Sequence, residues 1–329
     1  MTRLFLTLIL CLGLVNTGAA TTLKIATISP DGTSWMQSMR EAARLIDQRT
    51  QGRVKLRFYP GGVMGNDASV LRKIRINQLQ GGAVASGGLA SVDPDMQIYS
   101  LPLLFQSYGE ADLVRQQMDP LIIRQLKDKG IISYGFGEAG FAYFMSSQPI
   151  RSVADLKQRK VWVPEGDEIT RISLQALGIS PIPLPLTDVL TGLQTGLIDT
   201  IASAPVASIA LQWHTRVKYL TELPVLYVTG TLVVSERAHR KLSAEDQQIL
   251  AGILQKTFRD ISRQNRRDNQ NALEALQKQG IEFITPSSQG QEQWQAEVQQ
   301  SVDEMSRSGL FSRELYLQIQ QLLKQHREN

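Results

Sequence analysis

The chain carries three histidines, His214, His239 and His326, and one cysteine, Cys11, in 329 residues. No two histidines lie one helical turn apart, the spacing that brings two ring nitrogens to one metal ion. No Gly-x-Ser-x-Gly elbow is present, and Cys11 falls in an N-terminal apolar run, so no local motif sets up a nucleophile. The carboxylates Glu165, Asp167 and Glu168 are close enough for acid–base work, but they stand at a predicted helix start, where the helix dipole favours acidic side chains anyway. Gly135-Phe136-Gly137-Glu138-Ala139-Gly140 matches the spacing of a dinucleotide-binding turn. Such a turn needs a helix opening directly after it to receive the pyrophosphate. A strand-like run follows instead, so the glycines read as flexible backbone at a connection. Catalytic groups can be assembled from distant positions, yet this inventory points to binding without chemistry and without a cofactor.

Composition narrows the partners. The formal net charge is +4, and the basic residues are spread along the chain with no block interleaved with aromatics, which argues against nucleic acid. The densest cluster, Arg263, Arg266 and Arg267, lies in a predicted helix and reads as a solvated face. At the N-terminus Arg3 precedes the apolar run Leu4 to Val15, and Gly18, Ala19 and Ala20 follow. This is the layout of a secretory signal peptide, residues 1–20, cleaved near Ala20, and it predicts a periplasmic protein. The run is about a dozen residues, short of the roughly 20 that cross a bilayer. Leu10 before Cys11 is the wrong neighbour for a lipid anchor. Cys11 leaves with the leader, so no disulfide is expected and stability rests on cores; the remaining chain is long enough for two.

The elements expected to position a site alternate between strand and helix. Leu23 to Ile28 and Val54 to Phe58 read as strands around a helix bearing Trp35, Met39, Ala42 and Ile46, a right-handed crossover that implies parallel pairing. A helix with Val70, Leu71, Ile74 and Leu79 leads to the short strand Ala83 to Ser86. Gly87-Gly88 follows it, at a carboxyl end where open α/β sheets bind ligands. Strands Ile131 to Phe136 and Phe141 to Met145 mark a crossing to a second lobe that repeats the pattern through Lys160 to Val163, a helix from Ile169 to Leu177, and Leu197 to Ala202. Tyr227 to Val234 reads as the strand returning to the first lobe. Ser243 and Asp246 then open a helix of about 35 residues, roughly 50 Å, long enough to run across both lobes. Residues 21–139 with 231–270 make lobe I, and 140–230 with 271–329 make lobe II.

Three patterns in the second lobe carry a resemblance: Asp155-Leu156-Lys157 leading into Lys160-Val161-Trp162-Val163-Pro164, the stretch Leu177 to Pro185, and Leu193-Gln194-Thr195-Gly196-Leu197-Ile198-Asp199. Thr50 to Val54, Tyr59-Pro60-Gly61-Gly62, Met64-Gly65 and Leu101 to Phe105 agree in the first lobe. The chain resembles the DctP-type receptors of tripartite ATP-independent periplasmic (TRAP) transporters over nearly its whole length. The resemblance implies an α/β, two-lobed periplasmic-binding-protein fold (type II-like) with mixed sheets flanked by helices and a long helix spanning both lobes. It also implies a small-molecule ligand held in the interlobe cleft and delivered to the transporter's membrane subunits. A periplasmic sensor or accessory binding protein on the same fold is the alternative.

The departures from that family bear on the ligand. The family arginine before the Val-Pro is Trp162 here, a second family arginine aligns with Ala142, and the asparagine before a proline aligns with Ala204. An indole in place of a guanidinium removes a fixed charge and adds stackable surface. The expectation is therefore a less polar or uncharged ligand, or one whose charge is met elsewhere. Trp162, Phe141, Tyr143, Leu186 and Tyr227 form the candidate wall, with Ala142, Ala204 and Gly87 at the strand ends and Trp35 from the opposite lobe. Each reads equally well as core, Trp35 more simply so, and Arg171 is an alternative cation on the nearby helix.

Overall fold

A computed structural model describes residues 20–328. The expected leader falls on residues that lie outside this range up to Ala19, and among the described residues no helix is long and apolar enough to cross a membrane. Strand β1 (Thr21–Thr27), helix α1 (Ser34–Arg49) and strand β2 (Val54–Tyr59) form the anticipated crossover, with β1 and β2 parallel from Thr21 opposite Val54 to Ala26 opposite Tyr59. Met36, Met39, Ala42 and Ile46 give α1 one buried stripe. Helix α2 (Asp67–Arg75) returns the chain to β3 (Gly81–Ala85), also parallel to β1. Helix α3 (Tyr108–Asp128) then leads to β4 (Ile131–Ser133) and β5 (Gly137–Ser146).

The second half repeats the alternation in shorter pieces: α4 (Val153–Leu156), β6 (Trp162–Pro164), α5 (Glu168–Ala176), β7 (Ile182–Leu184), α6 (Val189–Thr195), β8 (Thr200–Ser203) and α7 (Pro205–Ala210). Strand β9 (Tyr219–Ser235) runs back through both halves. Helices α8 (Glu236–His239) and α9 (Ala244–Lys278), strand β10 (Glu282–Ile284), and helices α10 (Ser288–Ser308) and α11 (Arg313–Arg327) complete the chain.

One mixed sheet threads the molecule in the order β2-β1-β3-β9-β5-β8, and β4 and β10 pair opposite ends of β9. Strands β6 and β7 pair parallel beside it, linked to β8 by a bridge between Val161 and Thr200. Thus β9 is shared: its carboxyl half lies against β3 and β4, its amino half against β5 and β10. The strand expected at 227–234 is twice that long because its ladder continues through Pro224, which sits at a register shift in the pairing with β5, where a missing N–H costs no bond. The strand expected from Ile131 to Phe136 stops at Ser133, since Gly135 at φ +129° turns the chain out of the ladder.

The long helix is as anticipated. Ser243 Oγ accepts the Asp246 N–H at 3.1 Å, and α9 then runs for 35 residues, packing on α1 at one end, β5 in the middle and α7 at the other. Its buried stripe is apolar through Leu250, Leu254, Phe258 and Ile261 and changes to Asn265 and Asn269 where it passes over β5. The reading of Arg263, Arg266 and Arg267 as one solvated face needs correction. Arg266 pairs with the Glu138 carboxylate, whose side chain has no exposure, because helical periodicity places it on the edge of that buried stripe. At the end of the chain α10 packs on α5, whereas α11, numbered with lobe II, lies on α3 of the first half. Asp95 accepts the Ser312 N–H at 2.6 Å and Glu110 pairs with Arg327 at 2.7 Å to hold it there.

Candidate functional site

The carboxyl ends of parallel strands leave backbone groups and loops free to meet a ligand. In the first half β1, β2 and β3 end at Thr27, Tyr59 and Ala85, and their loops are laced together by Gly61 N–H to Ser29 O at 2.9 Å and Gly62 N–H to Thr27 O at 3.0 Å. In the second half β6, β7 and β8 end at Pro164, Leu184 and Ser203, with Glu165 N–H donating to Leu184 O at 3.2 Å. The two lips touch. Asn66 Nδ2 donates to Glu165 Oε2 at 3.0 Å, and a Cβ placed on Gly62 would stand 3.3 Å from Thr187 Cγ2.

The sequence candidates divide around this mouth. Gly87 sits in the one-turn 3-10 helix after β3, with open space where a Cβ would go. Leu186, half-buried, follows β7, and Ala204 follows β8 as the residue before α7. Tyr143 pairs with Ser203, which puts Ala142 beside the same strand end; Tyr143 is half-buried and Ala142 fully buried. These five gather at the strand ends. The other five do not. Phe141 and Tyr227 are packed together, ring centres 5.4 Å apart, in the core beneath the crossing strands. Trp35 packs on the first-half core, as its register with Met39 and Ile46 suggested.

Trp162 is 4% exposed. Its Nε1–H donates to Leu184 O at 3.0 Å, its ring meets Trp213 edge-on at 5.3 Å, and it shares a cluster with Met145, Val189 and Ile201. The indole therefore holds β6 to β7 and fills its lobe, and it lines a small pocket together with Leu103, Phe144 and Leu226. Arg171 is engaged on its own helix, pairing with Glu168 and donating to Gln175 Oε1 at 2.7 Å. That pair holds the Glu168 carboxyl below its ordinary range.

The helix-start reading holds for Asp167 and Glu168, whereas Glu165 lies in the turn before the helix and reaches Asn66 across the mouth. Asp167 caps α5 by accepting the Thr170 N–H at 3.0 Å and hydroxyl at 2.7 Å, and burial raises its carboxyl despite those bonds. Sequence reasoning passed over Asp67, which looks like an ordinary first-turn acid after the Asn66 cap. Its Oδ2 accepts the Ala85 N–H at 3.1 Å, while its Oδ1 is shut off from solvent without a partner. Burial pushes this carboxyl up to about 6. It stands one residue from the lip contact and against the backbone of Gly88, where a Cβ would come within 2.5 Å of Oδ2. The Asn66-Asp67 pair so soon after a glycine-rich strand end was the available signal.

Residues 25–308 match the family model described as bacterial extracellular solute-binding protein, family 7. The 2,3-diketo-L-gulonate-binding periplasmic protein YiaO of Escherichia coli is 26% identical over 77% of this chain and 79% of its own. The C4-dicarboxylate-binding periplasmic protein DctP of Rhodobacter capsulatus is 22% identical over 80% of this chain and 79% of its own. The crystal structure of the sugar acid binding protein DctPAm from Advenella mimigardefordensis in complex with galactonate superposes with a TM-score of 0.86 at 19% identity, covering 93% of this chain and 98% of that one. Two α/β lobes whose strand ends face each other, and a family match across nearly all of both, place this chain in family 7 of the bacterial extracellular solute-binding proteins.

Proposed function

We propose that this chain is the extracytoplasmic receptor of a TRAP transporter, exported behind a leader cleaved near Ala20. It captures a small molecule between its lobes and passes it to the membrane subunits without transforming it. Residues 21–139 with 231–270 form one lobe and 140–230 with the segment from 271 the other, α11 reaching back to the first. The carrying observation is the meeting of two sets of strand ends at the Asn66–Glu165 contact, with the two crossing strands, β5 and β9, paired side by side. Closure buries the ligand from both sides, so binding draws the open–closed balance toward the closed form.

The ligand is less polar than the sugar acids and dicarboxylates bound by the relatives. The positions where the resemblance puts polar anchors hold Ala142, Trp162 and Ala204, and Arg171 is neutralised by Glu168. Next to the lip residue Asn66 stands Asp67, an acceptor that suits a hydroxyl or amino donor better than a carboxylate. The test is to identify by mass spectrometry what the gently purified protein retains, and to run thermal shifts against neutral sugars, aromatic compounds and organic acids. A neutral or donor-rich compound should raise the melting temperature by several degrees and simple acids should not. Tight binding of a C4-dicarboxylate, unchanged by Trp162→Phe, overturns the ligand class; absence of any retained or stabilising solute overturns the receptor reading.

A further inference from the structure

The Gly135–Gly140 segment, set aside as a nucleotide motif, occupies the point where the chain first crosses between lobes. Glu138 lies there on β5, opposite Thr229 of the returning strand β9. Its carboxylate is wholly buried. Arg266 of α9 grips both oxygens, through Nε on Oε1 and through Nη2 on Oε2 at 3.0 Å, and the Tyr227 hydroxyl of β9 donates to Oε2. Arg115 of α3 brings Nη1 to 3.9 Å of Oε2 while donating to Tyr227 Oη at 3.1 Å and to Phe136 O at 2.7 Å. One side chain therefore ties both crossing strands to a first-lobe helix and to the helix that spans the lobes.

The backbone around it is held by the same helix. Ser262 Oγ accepts the Glu138 N–H at 3.2 Å, Asn265 Nδ2 donates to Glu138 O at 2.6 Å, and Asn269 Nδ2 donates to Ala139 O at 2.6 Å. Asn269 Oδ1 also accepts the Val206 N–H at 3.1 Å, which joins the second lobe's α7 to the set. These bonds satisfy carbonyls that the shift in register between Glu138 and Gly140 leaves outside the ladder. The glycines make room: a Cβ on Gly137 would stand 3.0 Å from Phe258 Cδ1, and one on Gly140, at φ +111°, 2.4 Å from Asn269 Nδ2.

We propose that Glu138 is the positioning residue of lobe closure, the fixed pivot that makes β5, β9 and α9 turn as one unit when the lips part. It touches no ligand and acts through Arg266, Tyr227 and Arg115. This goes beyond the receptor reading but rests on its clamshell motion, so the experiment must separate the two. Cys11 leaves with the leader, so the exported chain carries no native cysteine, and spin labels at Val63→Cys and Leu197→Cys report on exposed sites, 70% and 49% accessible, in the two halves. Distance distributions are recorded by pulsed electron resonance for the protein as purified and after refolding strips any retained solute.

Glu138→Gln is expected to shift the balance of short and long distances at least threefold and to broaden both, Glu138→Asp to restore part of the wild-type balance, and Arg266→Lys to give a smaller shift. Glu110→Gln, which breaks the distant Arg327 pair, should lower the melting temperature and leave the distances alone. If Glu138→Gln does not fold, Asn265→Ala and Arg266→Lys stand in for it, and wild-type distances in both overturn the proposal. A wild-type balance retained in Glu138→Gln, or an equal shift in Glu110→Gln, overturns the proposal while leaving the receptor reading intact. A single unchanging distance in the wild type in both preparations overturns closure and this pivot together.

Discussion

Two of the places where the lobes meet are made of opposite materials. At the lips one exposed amide, Asn66, reaches one exposed carboxylate, Glu165, and glycine meets a threonine methyl. At the crossing a carboxylate without exposure is surrounded by two guanidinium groups and a phenol, and a pair of asparagines holds the backbone carbonyls beside it. An exposed contact of the first kind contributes about 0–1 kcal/mol, so it opens and closes on thermal fluctuations. A buried ionic set of the second kind costs several kcal/mol to disrupt, because any member left behind is a charge without water. A clamshell needs this inequality: the lips must let go while the pivot does not.

The most severe way to break the contrast is at the pivot. Arg266→Ala leaves Glu138 buried with Tyr227 and a guanidinium at 3.9 Å, and should lower unfolding stability in urea by about 3 kcal/mol. Gly140→Ala places a methyl against Asn269 at a positive φ and should lose about 1–3 kcal/mol in the same assay, with α9 lifted locally. An unchanged midpoint in both would mean the crossing is soft.

Asp67 sharpens the comparison from the cleft side through pH. Its folded carboxyl titrates near 6 against an ordinary 3.8, so between these values the folded state holds more proton than the unfolded state, and stability falls as pH rises through that window. Asp67→Asn should remove that slope and raise stability at pH 7 by about 1–2 kcal/mol, a full two-unit shift being discounted for partial exposure. A wild-type curve that climbs from pH 4 to 6, unchanged in the variant, would contradict it. The smallest effect belongs to the lip. Asn66→Ala should change stability by less than about 0.5 kcal/mol while favouring the longer inter-lobe distances, and a large loss of stability would show that the mouth is not the weak contact.

Local pattern made much of the architecture legible. The helical spacing of Trp35, Met39, Ala42 and Ile46, the Ser243 cap and the proline-free run to Lys278 required no tertiary knowledge, since they follow from backbone geometry and one buried face, although Met36 and not Trp35 completes that face. The candidate wall was less legible. Trp162, Phe141 and Tyr227 are aromatic and close to strand ends in sequence, but a large ring serves equally as wall and as filling, and here packing against Trp213 and beneath β9 absorbed them. Arg266 was misread for the complementary reason. Its sequence neighbours Arg263 and Arg267 are exposed, and nothing local reveals that Glu138, more than a hundred residues away, waits for it.

By itself the sequence determined the alternation of strands and helices, the long helix and the family to which they belong, because each is written in spacing that a short stretch of chain must obey. Only the tertiary structure decided that β9 is shared by both halves, that the glycine motif seats α9 on the crossing, and which charges lie buried together. Those outcomes depend on which distant surfaces exclude water from one another, and a side chain's neighbours in space are not its neighbours in the chain.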